Sequence, residues 1–364
     1  MSRFDAVVVG GGPAGSTAAR ELSRAGLDVL VLDRAEFPRH KVCAGWITPA
    51  VLETLDIEPS DYRGQGLTLQ PIRGFRVAGV GGAIHRVPYR QPVSYGIRRC
   101  EFDDYLLRRS GARLRLGEPL RSLERRDGEW WIDGSIRTPL IVGAGGHSCP
   151  VARHLAPHGR EEVVAAQEVE LRLADGAACR VEPERPELFF HDDLKGYGWC
   201  FRKGRYLNVG LGSLDASGFA ARVAEFVARL QAEGRIPADL GPFEGHAYLL
   251  RNRSSRPLVR DGAMLVGDAA GLAYSTSGEG IRPAVESGLL AARAAIAAGG
   301  DYRADRLAVY PRWITSRLGR AEDRRRRDVT RWQRALARRL FASPWFARRI
   351  LIDRLFLHRH VAPI

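Results

Sequence analysis

The chain has 364 residues, 45% of them hydrophobic, and a formal net charge of +14. This length predicts two domains or one elaborated domain with a large core. The chain has no apolar stretch of about 18 residues or more, which excludes a membrane-spanning helix. It begins directly on a predicted strand without room for a signal peptide, so we expect a cytoplasmic protein or one on the cytoplasmic face of a membrane.

The positive charge is concentrated at the C-terminal end. Residues 301–364 contain seventeen Arg against six acidic residues, so the body of the chain is nearly neutral. No nucleic-acid-binding motif accompanies this charge, and we expect no nucleic-acid partner. The five cysteines are odd in number and form no C-x-x-C pair, which predicts neither a disulfide framework nor a metal site. They are Cys43, Cys100, Cys149, Cys179 and Cys200.

The first 33 residues have the pattern of a dinucleotide-binding unit. An apolar strand over residues 4–9 runs into a glycine-rich turn at 10–15, a helix follows, and a second strand ends on Asp33. Gly10 and Gly12 permit the tight turn, while Gly15 lets the helix pack closely. The helix N-terminus suits a pyrophosphate, and Asp33 suits ribose hydroxyls. This unit alone leaves NAD and FAD open.

The next segments alternate between loop, strand and helix patterns. Residues 37–46 have the composition of a loop, 48–55 predict a short helix capped by Thr48, and 100–109 have helical spacing. Short strands are predicted within 67–97 and around Leu114, Leu120, Trp130 and Ile136. The apolar run 140–146 ends in a glycine turn, which indicates another strand of the first sheet.

Residues 163–248 are mostly strand-like, with one amphipathic helix over about 215–231. If residues 197–201 form a strand, the rings of Tyr197, Trp199 and Phe201 project from one face. Lys203 and Gly204 then form a hairpin turn into the next strand. The spacing alone is more typical of an ordinary core stripe than of a binding wall.

A second glycine-rich turn favours FAD over NAD. Residues 267–271 (GDAAG) follow a strand over 263–266 and precede a predicted helix over 280–298. NAD needs no such distant element, whereas FAD is long enough to require one. Asp268 suits ribityl or pyrophosphate-side groups, and the backbone at Gly280 and Ile281 suits the isoalloxazine edge, where the helix dipole stabilises negative charge on reduced flavin.

Five segments resemble the flavoproteins that include p-hydroxybenzoate hydroxylase and, within them, the geranylgeranyl reductase family, over roughly the first 300 residues. They are the opening unit; 37–45; 99–103; 267–271 with 278–280; and 196–201 followed by 208–212. The last is similar to the aromatic pocket motif Y-x-W-x-F-P of the reductases. Two positions depart from the pattern: Arg202 replaces the proline of the motif, and Gly145 replaces an acid in the middle glycine-rich turn.

The resemblance implies an α/β fold with three regions. They are a Rossmann-like FAD-binding domain of the p-hydroxybenzoate hydroxylase type (1–70, 97–160 and 250–300), an inserted, mostly antiparallel β-sheet domain that binds substrate (71–96 and 161–249), and a basic C-terminal helical region (301–364). It also implies a set of residues for FAD: Gly10, Gly12, Pro13, Ala14, Gly15, Asp33, Arg34, Lys41, Cys43, Ala44, Arg99, Leu120, Gly267, Asp268, Gly278, Gly280 and Ile281.

The leading functional hypothesis is reduction of a C=C bond in a prenyl or other lipophilic substrate by hydride from reduced flavin. Trp46, Tyr197, Trp199 and Phe201 are the predicted substrate wall, and Cys43 and Tyr197 are the candidate catalytic residues. For Cys43, a small residue filling a loop is an equal alternative. The rival activity is a flavin-dependent monooxygenase acting on an aromatic or lipophilic substrate, and a flavin-binding scaffold is a third reading. The sequence has no second dinucleotide unit, which leaves NAD(P)H and a protein electron carrier open as the reductant.

The basic tail over 324–356 combines arginines with large apolar residues, the composition of an interfacial membrane anchor. Helices packed on the body with a solvated arginine face are the equal alternative.

Overall fold

A computed structural model describes residues 1–156, 161–320 and 330–364 of the protein. The strands in the described parts of the chain are β1 (Ser2–Arg3), β2 (Ala6–Val9), β3 (Val29–Asp33), β4 (Trp46–Ile47), β5 (Leu69–Ile72), β6 (Gly74–Ala78), β7 (Ile84–Pro88), β8 (Ser94–Ile97), β9 (Arg113–Leu116), β10 (Leu123–Arg126), β11 (Glu129–Ile132), β12 (Ile136–Thr138), β13 (Leu140–Gly143), β14 (Val163–Arg172), β15 (Glu187–Phe190), β16 (Gly196–Lys203), β17 (Tyr206–Ser213), β18 (Glu244–Leu249), β19 (Val259–Arg260) and β20 (Ala263–Leu265).

Helices cover the sheets and form most of the C-terminal region. They are α1 (Pro13–Arg24), α2 (Pro49–Thr54), α3 (Pro59–Gly64), α4 (Arg99–Arg108), α5 (Pro150–Leu155), α6 (Phe219–Ala232), α7 (Ile281–Ala297), α8 (Val309–Leu318), α9 (Arg331–Phe341) and α10 (Phe346–Phe356), the last wound as a π-helix.

The first sheet is the predicted Rossmann-like sheet. Its strand order is β19-β20-β13-β2-β3-β9, and every neighbouring pair except β19 and β20 is parallel. Its central strands are apolar because they are buried in a core that includes residues of α1 and α7 together with Trp130, Ile132 and Ile136 of the small sheet of β10–β12. The predicted strand over 140–146 is confirmed as β13, between β2 and β20. The predicted strand around Leu120 is wrong, since this residue lies in the loop between β9 and β10.

The second sheet has the strand order β18-β14-β17-β16-β15-β6-β7, and only the pair of β15 and β6 is parallel. The predicted hairpin is confirmed, because Lys203 pairs with Tyr206 across its turn. Residues of β16 alternate between two cores. Trp199 and Phe201 pack in one core with the C-terminal helices, whereas Cys200 packs in the other with α6. The two remaining sheets are small, with the orders β1-β12-β11-β10 and β4-β8-β5.

Helix α1 and helix α7 cross at very short range. Ala14 and Ala18 of α1 are buried at this crossing, and Gly288 of α7 faces the Ala14 carbonyl. A Cβ on Gly288 would lie 2.2 Å from that oxygen, so only glycine fits between the helices. The crossing joins the opening turn to the helix that follows the second glycine-rich turn.

The C-terminal helices pack on the body with part of their apolar surface. Phe341, Leu351 and Phe356 are buried in the same core as Trp46 and Phe201. In the described parts of the chain, no helix combines the length and the apolar character needed to cross a bilayer. The arginine run 324–327 lies outside the described residues.

We expect Gly288→Ala to lower the free energy of unfolding by about 2 kcal/mol or more, because the added methyl overlaps backbone that cannot move without separating α1 from α7. Gly64→Ala, on α3 with no atom within 4 Å of the new Cβ, is the matched control. Urea unfolding of the two variants measures the effect. Equal stability of the variants would contradict the close crossing.

Candidate functional site

One cavity is lined by residues from both large sheets and from the C-terminal region. The predicted residues that line it are Gly10, Gly12, Pro13, Ala14, Asp33, Arg34, Lys41, Cys43, Ala44, Trp46, Arg99, Leu120, Tyr197, Trp199, Asp268, Gly278, Gly280 and Ile281. The fold therefore brings together motifs that are up to about 270 residues apart in the chain.

Three predicted residues do not line the cavity. Gly15 and Gly267 act through the backbone: a Cβ on Gly15 would lie 1.9 Å from the Gly10 carbonyl oxygen, and Gly267 has φ +56°. Phe201 is only 1% exposed and lies behind Trp46, with the ring centroids 5.8 Å apart. The prediction of Phe201 as a wall residue is therefore corrected, because a ring two residues beyond Trp199 on the same face extends past the cavity into the core.

At the first end of the cavity, Asp33 fixes the glycine-rich turn. Its Oδ2 accepts a hydrogen bond from the Gly11 amide at 2.7 Å, and its Oδ1 accepts one from the Ala35 amide at 2.9 Å. Gly10 has φ +115°, which a side chain does not tolerate. Each carboxylate oxygen keeps further acceptor capacity, so Asp33 can hold the turn and still bind a ribose hydroxyl.

The loop that carries Cys43 is fixed to the second sheet by a buried network. Glu168, 1% exposed, accepts from the Cys43 amide at 2.5 Å and from Asn208 Nδ2 at 3.1 Å. Asn208 Oδ1 in turn accepts from Trp199 Nε1 at 2.7 Å. The network thus links the loop, the sheet and one wall of the cavity.

A buried ion pair of Lys203 lies against the same loop. Its fully buried ammonium group lies 2.7 Å from Glu170, which also pairs with Arg98 at 3.1 Å. Both cations lower the pKa of Glu170 and outweigh its burial. Gly45 follows Cys43 at φ +63°, and a Cβ there would lie 2.2 Å from the Ile97 carbonyl oxygen and 2.4 Å from Lys203 Nζ. The positive φ and the backbone carbonyl therefore explain why the loop needs glycine at this point.

Beside the Cys43 side chain lies the guanidinium of Arg99. It forms a bidentate pair with Asp103, with both N···O distances 2.8 Å, and interacts electrostatically with Cys43. Burial opposes the charge, but Asp103 and Cys43 outweigh it and raise the pKa of Arg99. The cysteine therefore faces a permanent cation.

A second cationic cluster joins the Cys43 loop to the second glycine-rich turn. Lys41 Nζ lies 2.8 Å from His246 Nε2, and His246 Nε2 lies 4.0 Å from Asp268 Oδ2. Burial and the neighbouring Arg99 lower the pKa of Lys41 to about 8. Burial would raise the pKa of Asp268, but His246, Lys41 and Arg99 lower it on balance. This side of the cavity therefore favours an anionic or electron-rich group.

Aromatic rings form the opposite side. Trp46 stacks on Phe356 with centroids 5.6 Å apart, and Tyr197 contacts both Trp199 and Phe356. The Tyr197 hydroxyl donates to the Ser277 carbonyl at 2.6 Å, and burial raises its pKa. Its proton is thus directed at the backbone and not at the cavity, which weakens the case for Tyr197 as a proton donor.

Several lining residues escaped sequence reasoning. His246 and Tyr248 lie on β18, where no motif marks them, and Phe356 belongs to the tail, whose apolar residues indicated a surface anchor. Glu279 lies inside the recognised 278–280 motif without an assigned role. Its position between two motif glycines was the available signal.

The donor set fits FAD. Gly10, Gly12 and the N-terminus of α1 leave an open backbone edge for a pyrophosphate. Arg39 lines the same cavity, and its Nη1 is buried without a hydrogen-bond partner among the described residues. An anionic cofactor group would satisfy this donor. The cationic cluster and the aromatic side line the same cavity as these donors.

Comparisons with known proteins agree with this chemistry. Residues 5–85 match the family described as FAD dependent oxidoreductase. The chain is 32% identical to a menaquinone reductase of Mycobacterium tuberculosis, over 87% of this chain and 81% of the relative. It is 31% identical to a geranylgeranyl diphosphate reductase of Rhodobacter capsulatus, over 81% and 75%. A geranylgeranyl bacteriochlorophyll reductase-like protein of Thermoplasma acidophilum has a similar fold, with a TM-score of 0.74 at 21% identity, over 94% of this chain and 88% of that one.

We expect Asn208→Leu to lower the free energy of unfolding by about 2–4 kcal/mol, because it leaves buried Trp199 Nε1 and Glu168 Oε2 without this partner. Urea unfolding measures the loss. Trp199→Phe breaks the same hydrogen bond from the other side, so the double variant should lose less than the sum of the two single losses. Additive losses would contradict the coupling.

Proposed function

Because this chain belongs to the geranylgeranyl reductase family of FAD-dependent oxidoreductases, we propose that it reduces a C=C bond in the prenyl chain of a lipophilic substrate. The names of its relatives, menaquinone reductase, geranylgeranyl diphosphate reductase and digeranylgeranylglycerophospholipid reductase, all denote prenyl lipids. The predicted α/β fold and the dependence on FAD are confirmed.

The observation that carries the proposal is the aromatic side of the cavity. Trp46, Tyr197, Trp199 and Phe356 offer ring faces, and the Tyr197 hydroxyl and the Trp199 ring nitrogen are already bonded to protein. Such a wall binds a prenyl chain through buried apolar area and few hydrogen bonds. The Trp46 ring nitrogen has no hydrogen-bond partner among the described residues. A polar aromatic substrate would need acceptors as well as donors on this wall, so this side of the cavity favours the reductase over the monooxygenase.

In this proposal the two ends of the cavity bind different parts of FAD. Asp33 and the turn at Gly10 and Gly12 hold the ADP part, with Arg34 and Leu120 beside it. Around the flavin half lie Lys41, Cys43, Ala44, Arg99, Asp268 and the backbone of 278–281. When reduced, bound FAD supplies a hydride to the alkene. The nearby cations stabilise the negative charge that accompanies reduction.

Cys43 is proposed to tune this region through its contact with Arg99. We expect Cys43→Ala to slow oxidation of the reduced enzyme by substrate about tenfold or more, while FAD stays bound. Cys179→Ala, in the core beside α6, is the control. Anaerobic stopped-flow absorbance of the flavin measures the rate. Equal rates in both variants would remove Cys43 from the mechanism.

The same measurement tests the function. Dithionite-reduced enzyme mixed anaerobically with geranylgeranyl diphosphate, or with a menaquinone bearing an unsaturated chain, should return to oxidised flavin and yield a product two hydrogens heavier. If turnover in air instead consumes oxygen and adds one oxygen atom to the substrate, the enzyme is a monooxygenase and not a reductase. Replacing dithionite by NADPH or NADH separates a nicotinamide donor from a protein electron carrier.

We further propose that α9 and α10 contact a membrane surface. Four large apolar residues of this region are exposed: Trp332 (64%), Leu336 (48%), Leu340 (40%) and Trp345 (65%). Exposed Arg339, Arg348 and Arg349 accompany them. Aromatic and basic side chains together suit the interface of an anionic bilayer. The buried faces of the same helices contribute Phe356 to the cavity, which would place the substrate side of the enzyme near its lipid source.

We expect the double variant Trp332→Ser/Trp345→Ser to bind vesicles of phosphatidylcholine with phosphatidylglycerol about tenfold more weakly, because both indoles leave the interface. Sedimentation with vesicles at low and high salt measures binding. Trp313→Ser, a half-exposed tryptophan on α8, is the control. Equal vesicle binding by the double variant would contradict the proposed surface. Point variants are preferable to deletion of the tail, since deletion would also remove Phe356 from the core.

A further inference from the structure

Reduction of a C=C bond requires a proton as well as a hydride. Resting on the reductase function proposed above, we propose that Glu279 is the catalytic residue that delivers this proton to the substrate. Glu279 belongs to the turn between the second glycine-rich motif and α7, and this residue lines the cavity.

The two carboxyl oxygens of Glu279 have different surroundings. Oε1 accepts a hydrogen bond from the Arg282 amide at 2.8 Å, in the first turn of α7. Oε2 is buried and has no hydrogen-bond partner among the described residues. A buried carboxylate oxygen without a hydrogen-bond partner costs free energy. A protonated Oε2 is instead a hydrogen-bond donor that a bound acceptor can satisfy. The geometry therefore suits a carboxylic acid that is anchored through one oxygen and reactive through the other.

The electrostatic surroundings keep the acid protonated. Burial raises the pKa of Glu279 to about 7, with Glu286 acting in the same direction, while the Arg282 amide and guanidinium oppose the shift. The Arg282 guanidinium is drawn away by Glu286 at 2.8 Å, and Glu286 also pairs with Arg317. A general acid is most effective when its pKa lies near the working pH.

Among the described residues, the other groups close to the turn are not among the causes of this pKa shift. Burial raises the pKa values of Tyr197, Tyr274 and Tyr248, the last of which lies close to Gly278. His358 stacks on Tyr274 with the ring centroids 3.7 Å apart, and its pKa is lowered to about 4. Asp268 lies beyond Gly280 and has a lowered pKa.

Other candidates for the proton are less suitable. The Tyr197 hydroxyl donates to backbone, and the Cys43 sulfur accepts a hydrogen bond from the Gly45 amide at 3.4 Å. Among the described residues, the other carboxyl groups that line the cavity are those of Asp33, Glu118 and Asp268. Asp33 and Glu118 lie together at the far end, where the Glu118 amide donates to the Asp33 carbonyl. Asp268 has a lowered pKa and so holds no proton to give at neutral pH.

The step balances as follows. One alkene carbon receives the hydride with its electron pair from the reduced cofactor, which ends oxidised. The π electrons of the alkene form a C–H bond at the other carbon with the proton of Glu279, and the Oε2–H bond breaks. Water then returns a proton to the carboxylate, and the external reductant restores the cofactor.

The first test needs no turnover. In the FAD-bound enzyme without substrate, the infrared C=O band of a protonated carboxyl group should disappear as the pH rises through about 7. Glu279→Gln should lack this titrating band, whereas Glu225→Gln, on the exposed face of α6, should keep it.

The unfolding free energy provides a second readout. The pKa is higher in the folded protein than in the unfolded chain, at about 4.3, so the folded state binds the extra proton between these values. Wild-type stability should therefore fall relative to that of Glu279→Gln as the pH rises from about 4.3 to 7.

The second test measures oxidation of the dithionite-reduced enzyme by geranylgeranyl diphosphate. Glu279→Gln keeps the hydrogen bond from the Arg282 amide but has no acidic proton, so we expect it to slow oxidation about 10²–10³-fold with normal FAD content. Glu279→Asp should recover part of the rate. The wild-type rate should fall as the pH rises through about 7, and this dependence should be absent in Glu279→Gln.

The outcomes separate this inference from the proposed function. If a prenyl substrate oxidises the wild-type enzyme, and Glu279→Gln has the same rate and pH profile, the role of Glu279 is overturned and the reductase function stands. Failure of every prenyl substrate to oxidise the wild-type enzyme would overturn the reductase, even where the infrared band confirms a protonated Glu279. A missing band with an active wild type would again overturn the role of Glu279 alone.

Discussion

The site depends on the buried hydrogen bonds that fix the Cys43 loop to the second sheet. Glu168 holds the loop amide, and Asn208 connects Glu168 to the indole of Trp199. Buried polar groups are costly when any one partner is lost, so this network admits one arrangement of loop and sheet. The position of Cys43 beside Arg99, and of the aromatic side opposite the cations, follows from that arrangement.

The cavity contains both a buried cation and a buried acid with a raised pKa. Burial disfavours the charged form of every group. Arg99 keeps its charge because its pair with Asp103 outweighs burial, whereas burial lowers the pKa of Lys41 to about 8. The pKa of Glu279 is raised to about 7 because burial outweighs its partners. One desolvated cavity can thus keep a cation at Arg99 and still retain an acid.

The C-terminal region packs on the body and still leaves apolar side chains exposed. Helices α9 and α10 bury Phe341, Leu351 and Phe356 in the core, yet expose Trp332 and Trp345. An amphipathic helix ordinarily has one apolar stripe. Here the apolar surface is wide enough that one part packs on the body and another remains available, so packing and surface contact do not exclude each other.

The sequence by itself determined the dinucleotide fold, the dependence on FAD and the aromatic face. Glycines at 10, 12 and 15, a terminal Asp33 and period-two aromatics at 197–201 are local patterns whose meaning follows from backbone sterics and side-chain alternation. Only the tertiary structure decided that Phe201 lies behind Trp46, that His246 and Phe356 line the cavity, and that one oxygen of Glu279 finds no partner in the described parts of the chain. Burial and partner choice in these cases are set by segments far away in the chain, and no local pattern encodes them.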